Sequence, residues 1–227
     1  MKAGRFAAYV IVALFFVVAL AISPWMPVTM TSHWGVNGEA NGTMPKLIAL
    51  FLVPVIALGL LILFEFLPRI DPLRKSYLAF MGEYEWFVAG ILGFLLYVQC
   101  LVLAWNAGIQ FDMVQALAPG FGVLFYIIGM LVGKTKRNWF VGVRTPWSMS
   151  SERVWDRTNT MAGTLFKAAG VIILLGVIFP GLLFAFMIVG IVLAAFVPFP
   201  YSYMEYKRLE REGSAVPRRH PKKRAAR

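Results

Sequence analysis

Long apolar runs separated by short polar stretches dominate this chain. The runs cover roughly residues 6–22, 47–67, 86–106, 119–133, 161–179 and 182–199. A helix needs about 20 mainly apolar residues to cross the hydrocarbon core of a bilayer. Inside that core a segment must satisfy its own backbone hydrogen bonds, which a helix does. The pattern therefore predicts an all-α integral membrane protein with six transmembrane helices. Only Pro180-Gly181, a turn dipeptide, separates the last two runs, so helices 5 and 6 are expected to form a tight hairpin. The first run follows Lys2 and Arg5, but it is about 17 residues long and leads to Ser23-Pro24-Trp25 with no small-x-small cleavage site. It reads as a retained helix rather than a signal peptide.

Composition agrees with this reading. The chain is 59% hydrophobic and 15% charged, whereas soluble domains are about 25% charged. The charges are also unevenly placed. Of 22 Lys and Arg, 20 fall in the N-terminus (Lys2, Arg5), the 2–3 loop (Arg69, Arg74, Lys75), the 4–5 loop (Lys134 to Arg157) and the tail from Lys207 to Arg227. The opposite loops hold only Lys46, and Lys167 lies near the start of helix 5. Cytoplasmic loops carry the excess of Lys and Arg, so both termini are expected in the cytoplasm of a multi-pass cell-membrane protein. The net charge of +11 is then a topology signal, and no nucleic acid partner is expected. The tail, 204–227, is basic and poor in large apolar residues. It is expected to be disordered and to attract anionic lipids.

Several chemistries are excluded or weak. The single cysteine, Cys100, cannot form a disulfide within the chain and reads as a small buried apolar residue. The outer loop, 24–46, contains Asn37-Gly38 and Asn41-Gly42, both tight-turn pairs, and is expected to order as a small hairpin. Its binding candidates are Trp25, His33, Trp34 and Glu39, the two indoles suiting the headgroup region. His33 and Glu39, with Asp112 from the next outer loop, are weak metal candidates because their spacing matches no ligand set. No cofactor is expected. The chain has no H-E-x-x-H, G-x-S-x-G or phosphate-binding glycine loop, which argues against an enzyme. Glu65 and Gln99 are intramembrane polar residues, functional candidates by default, although Glu65 lies close enough to its helix end to reach the interface.

The stretch Asn138 to Trp155 is polar, basic and aromatic together. Gly142 permits unusual backbone, and Pro146 pushes Thr145 out of helical conformation. Ser150 or Ser151 is placed to cap a new helix, with Glu152 in its first turn. Trp155, Thr158, Asn159 and Ala162 then follow helical spacing. Trp139, Trp147 and Trp155 read either as interfacial anchors or as packing around Arg144. A buried arginine needs a carboxylate or carbonyl partner, for which Glu152, Asp156, backbone carbonyls or Glu65 are the candidates.

At these residues the chain resembles the SdpI family of bacterial membrane immunity proteins. The matching positions are Asn138, Gly142, Arg144, Thr145, Pro146, Trp147 and Ser148, followed by Glu152, Trp155 and Thr158-Asn159. Asn159 stands where histidine is more often expected. The outer loop resembles the companion N-terminal domain of unknown function through Pro27, His33-Trp34, Gly38-Glu39, Asn41 and Lys46. The resemblance divides the chain into a two-helix module, 1–85, a four-helix module, 86–203, with motif loop 134–160, and the tail. It implies immunity to a secreted peptide toxin or reception of a peptide signal. It also implies a cytoplasmic transcriptional regulator held at the membrane. The alternative is a small-solute transporter or channel, with Glu65, Gln99 and Arg144 along its path. A membrane enzyme ranks below both.

Overall fold

The computed structural model describes residues 3–213 and is 77% helical. In chain order it has α1 (Ala3–Ile22), strands β1 (Thr29–Trp34) and β2 (Ala40–Pro45), α2 (Lys46–Ile70), α3 (Met81–Asn106) and α4 (Met113–Val132). The short α5 (Pro146–Ser150), α6 (Glu152–Ile178), α7 (Leu183–Ala195) and α8 (Pro198–Arg211) follow. Six helical segments are long and apolar enough to cross a membrane, including Ala3–Trp25, Lys46–Ile70 and Pro180–Arg211. Exposed residues such as Leu52, Ile56 and Leu63 of α2 are what a bilayer, rather than water, would solvate.

Packing follows the small residues. One core joins α1, α2 and α3 through Phe15, Ala57, Tyr84 and Leu92, which are at most 3% exposed. The α4–α6 contact is a glycine seam. A Cβ on Gly129 would come within 2.6 Å of the Gly163 carbonyl oxygen, and one on Gly170 within 2.5 Å of the Gly122 carbonyl oxygen. Small residues let membrane helices bring their backbones together, where van der Waals packing replaces the absent hydrophobic drive. The next turn, Pro180–Leu182, leads from α6 into α7, which packs along α6.

At the end where α1 meets α2, β1 and β2 pair antiparallel, with Met30 opposite Met44 and Thr31 opposite Thr43. The turn uses Gly38 at φ +76°, which the Asn37-Gly38 pair anticipates. Asn41-Gly42 is not a second turn. It lies within β2, where the register slips as Gly42 faces His33 and Ala40 faces Trp34. Asn106 of α3 binds the other edge of β1. Its Oδ1 accepts from Thr31 N at 2.7 Å, and its Nδ2 donates to Thr31 O at 2.9 Å. Met26 and Met30 are buried beneath the hairpin against Ala19, Leu50 and Leu103.

Three expectations change. Helix 4 is a full 20 residues, because Asp112 caps it by accepting from Gln115 N at 3.0 Å. The last span is broken at Phe196-Val197, and α8 restarts at Pro198 and continues to Arg211. Pro198 and Pro200 have no N–H to extend the α7 ladder, but proline suits a helix's first turn. Residues 204–211, assigned to a disordered tail, are therefore helical. Ser202, Glu205 and Leu209 are buried at spacings of 3 and 4, which is one helical face. Residues 214–227 lie outside the described residues. Finally, Cys100 is exposed rather than buried, on the outward face of α3.

Candidate functional site

The motif loop runs between α4 and α6, and buried polar side chains hold it from the inside. Asn138 is fully buried. Its Nδ2 donates to Lys136 O and Val141 O, both at 2.8 Å, while its Oδ1 accepts from Phe140 N at 2.9 Å and Val141 N at 2.7 Å. One side chain thus satisfies four backbone groups of an irregular segment, which could not stay dry otherwise.

Gly142 then turns the chain at φ +117°. A Cβ there would sit 2.6 Å from Asn159 Oδ1 and 3.0 Å from Trp155 Cζ2. Asn159 reaches from α6, accepting from Val143 N at 2.7 Å and donating to Trp155 O at 3.1 Å. Trp155 is fully buried, and its Nε1 donates to Thr135 O at 3.0 Å. The loop, the end of α4 and the start of α6 are therefore one interlocked unit.

Thr145 caps α5 in a reciprocal box with Ser148. Thr145 Oγ1 accepts from Ser148 N at 3.0 Å, and Ser148 Oγ accepts from Thr145 N at 2.9 Å. Pro146 takes the first helical position, where a missing N–H costs nothing. Thr145 Oγ1 also bonds Ser202 Oγ of α8 at 2.9 Å. Trp147 packs edge-to-face on Phe199 and Tyr203, with ring centroids 5.6 and 5.0 Å apart. Ser151 begins α6, as expected, but its side chain makes no capping hydrogen bond.

Two ties bring in elements the sequence does not connect to the motif. Asp71, at the end of α2 and 2% exposed, accepts from Leu73 N at 2.6 Å and from Trp139 N at 2.9 Å. Tyr77, also buried, lies 3.4 Å from Asn138 Oδ1. Burial first, and the Asp71 carboxylate second, hold its hydroxyl above the usual phenol range, so it stays protonated and donates. Across the loop, Glu205 of α8 is 6% exposed and ion-paired with both Arg157 and Arg208. Asp71, Tyr77, Ser202 and Glu205 were not among the sequence candidates. The available signals were an Asp-Pro pair closing an apolar span and a Glu three residues before Arg208.

Arg144 stands apart from this network. It is exposed, donates to the Trp139 carbonyl, and has no ion-pair partner among the described residues. Its expected carboxylates are taken: Glu65 pairs with Arg5 at 3.3 Å, Glu152 with Arg137 at 3.6 Å, and Asp156 with Lys136 at 3.1 Å. The three indoles also separate, with Trp155 buried, Trp147 packed on α8 and Trp139 53% exposed. They form neither a common belt nor a cage around Arg144.

The remaining candidates lie elsewhere. Gln99 is 1% exposed and donates to Leu50 O at 3.3 Å, tying α3 to α2. Trp25 is 74% exposed, and Trp34 stacks edge-to-face on Trp105 at 5.7 Å. His33 Nδ1 bonds Asn41 Oδ1 at 2.5 Å, and Glu39 is exposed at the hairpin. No group of three His, Cys, Asp or Glu fit to hold a metal occurs among the described residues.

A helical, multi-pass membrane protein with a buried polar lock at one end and a β-hairpin at the other is thus defined. Residues 134–202, which hold most of the lock, match the SdpI/YfhL protein family, and residues 10–58 match a domain of unknown function, DUF1648. The family resemblance read from Asn138 to Asn159 therefore stands. The chain is 26% identical to the Immunity protein SdpI of Bacillus subtilis (strain 168) over 201 residues, which is 88% of this chain and 94% of that protein. No solved structure matches the chain significantly.

Proposed function

We propose that this chain is a membrane immunity protein that protects its cell from a secreted peptide toxin. The observation that carries the reading is the likeness to an immunity protein across 88% of the chain, spanning both the hairpin and the locked loop. The excess of Lys and Arg supports a cytoplasmic location for the termini and motif loop, with the β1–β2 hairpin outside. The peptide then meets the hairpin end first, where Trp25, Val28 and Val36 are 74%, 83% and 81% exposed. Exposed apolar side chains of this kind suit an interaction surface.

In this reading the polar lock fixes the geometry of the inner face, and the exposed Trp139 and Arg144 form the surface that a cytoplasmic regulator would contact. Residues 1–85 act as the peptide-facing module and 86–203 as the relay. The test is expression in a susceptible bacterium challenged with secreted peptides from close relatives of the source cell. Protection by the wild-type chain is expected. Unchanged survival against every such peptide, with the protein present in the membrane, overturns the reading.

A further inference from the structure

A cavity of about 450 Å³ lies between α1, α2 and α3, at the end that carries the motif loop. Ligand pockets run from about 300 to 1,000 Å³. Its wall is apolar where Ala8, Leu61, Phe64 and Val88 line it, and basic where Arg69, Arg74 and Lys75 do. Arg5, Glu65 and Glu85 also line it, so its charged side chains sum to +2. Arg5 joins the two carboxylates, 3.3 Å from each, and Arg69 is 3.5 Å from Glu65. Arg5 Nε is buried and makes no hydrogen bond, although it lies within ion-pair distance of Glu65, and two further features are left over. Arg74 and Lys75 are exposed and have no ion-pair partner among the described residues. Glu85 is 6% exposed, and its Oε2 is buried without a hydrogen-bond partner, a costly state for a carboxylate oxygen.

These surfaces ask for three things at once: hydrocarbon for the wall, an anion for Arg74 and Lys75, and a hydrogen-bond donor for Glu85. Free phosphate lacks the first, and phosphatidylcholine lacks the donor and the net charge. We propose that the cavity is a headgroup site for a phospholipid of the adjoining leaflet, of the phosphatidylglycerol type. Its phosphate pairs with Arg74 and Lys75, a headgroup hydroxyl donates to Glu85 Oε2, and the upper part of an acyl chain lies along Leu61, Phe64 and Val88. The site is separate from the basic tail and does not depend on the immunity reading.

The test uses the full chain in nanodiscs of mixed phosphatidylglycerol and phosphatidylcholine, with retained lipid measured by native mass spectrometry. Wild-type protein is expected to retain phosphatidylglycerol preferentially. The pair Arg74→Ser and Lys75→Ser should lower that retention about thirtyfold, the scale of two phosphate-facing cations at about 1 kcal/mol each. Lys134→Ser with Arg153→Ser removes the same charge from exposed positions outside the cavity and should change little. Leu78→Glu, which places a carboxylate in the cavity lining, gives an independent variant with the same expected loss. The proposal is overturned by equal losses in the two serine pairs, by no preference over phosphatidylcholine, or by displacement of the lipid with free glycerol phosphate. Unchanged retention in both cavity variants also overturns it.

Discussion

The two ends of this bundle are closed by different means. At the hairpin end, Met26 and Met30 fill the space beneath the strands, and Asn106 supplies the two hydrogen bonds that join the hairpin to α3. At the motif end, buried side chains of Asp71, Asn138, Thr145, Ser148, Asn159 and Ser202 satisfy backbone and one another across four elements. The difference follows from the backbone each end must accommodate. A hairpin pairs its own N–H and C=O groups, so apolar packing can seat it. The loop 133–145 is irregular, so side chains must supply those partners.

That contrast predicts unequal mutational costs. The largest belongs to Trp155→Ala, which empties a fully buried indole site and releases the Thr135 carbonyl. Large aromatic truncations cost about 3–5 kcal/mol. The expected outcome is a much lower melting temperature in detergent, with α4 and α6 separating first in hydrogen exchange. A loss no greater than that of an exposed tryptophan such as Trp139→Ala would remove the distinction between the ends.

Asp71→Ala comes next. It leaves the amides of Leu73 and Trp139 without their carboxylate partner, and hydrogen bonds to charged groups contribute about 1.5–3 kcal/mol each. Stability should fall by about 2–3 kcal/mol, allowing for rehydration of the freed amides. Exchange protection should be lost at Trp139, 68 residues away in sequence. Unchanged protection at Trp139 would show that the loop is held from its own side alone.

The reach of Asp71 also marks where sequence reading stops. Six apolar runs, the Gly142 and Pro146 breaks, and the α6 start at Ser151 were legible, because each depends on spacing or on local backbone preference. The Asn37-Gly38 turn was legible for the same reason. Asp71 with Trp139, Thr145 with Ser202, and Arg157 with Glu205 are separated by 68, 57 and 48 residues, and no local pattern encodes such pairings. The α4–α6 glycine seam was not read from the sequence, because only contact shows that Gly129 faces Gly163 and Gly122 faces Gly170. Arg144 failed differently. A lone motif arginine invited a carboxylate partner, yet Glu65, Glu152 and Asp156 pair with Arg5, Arg137 and Lys136 instead, and Arg144 donates to a backbone carbonyl.

Asn106→Ala should cost about 1–2 kcal/mol, since it removes two hydrogen bonds to Thr31 of about 1 kcal/mol each or less while packing beneath the hairpin persists. The change should appear as faster exchange at Thr31 rather than as a shifted global transition. A drop matching that of Asp71→Ala would mean that the hairpin is also locked by polar groups.

The smallest structural effect belongs to Arg144→Ala, although the residue sits in the middle of the locked end. Its guanidinium is exposed and among the described residues bonds only the Trp139 carbonyl, so stability should change by no more than at an ordinary surface position, about 0.5 kcal/mol. Its place in the motif then has to be explained by something outside the fold. On the immunity reading, the variant accumulates normally in the membrane but protects its host less well, and Arg144→Lys restores little because a lysine cannot reproduce the planar, forked donor set. The two measurements separate the alternatives. Normal stability with lost protection makes Arg144 part of a contact surface, whereas a melting loss like that of Asp71→Ala makes it one more member of the lock.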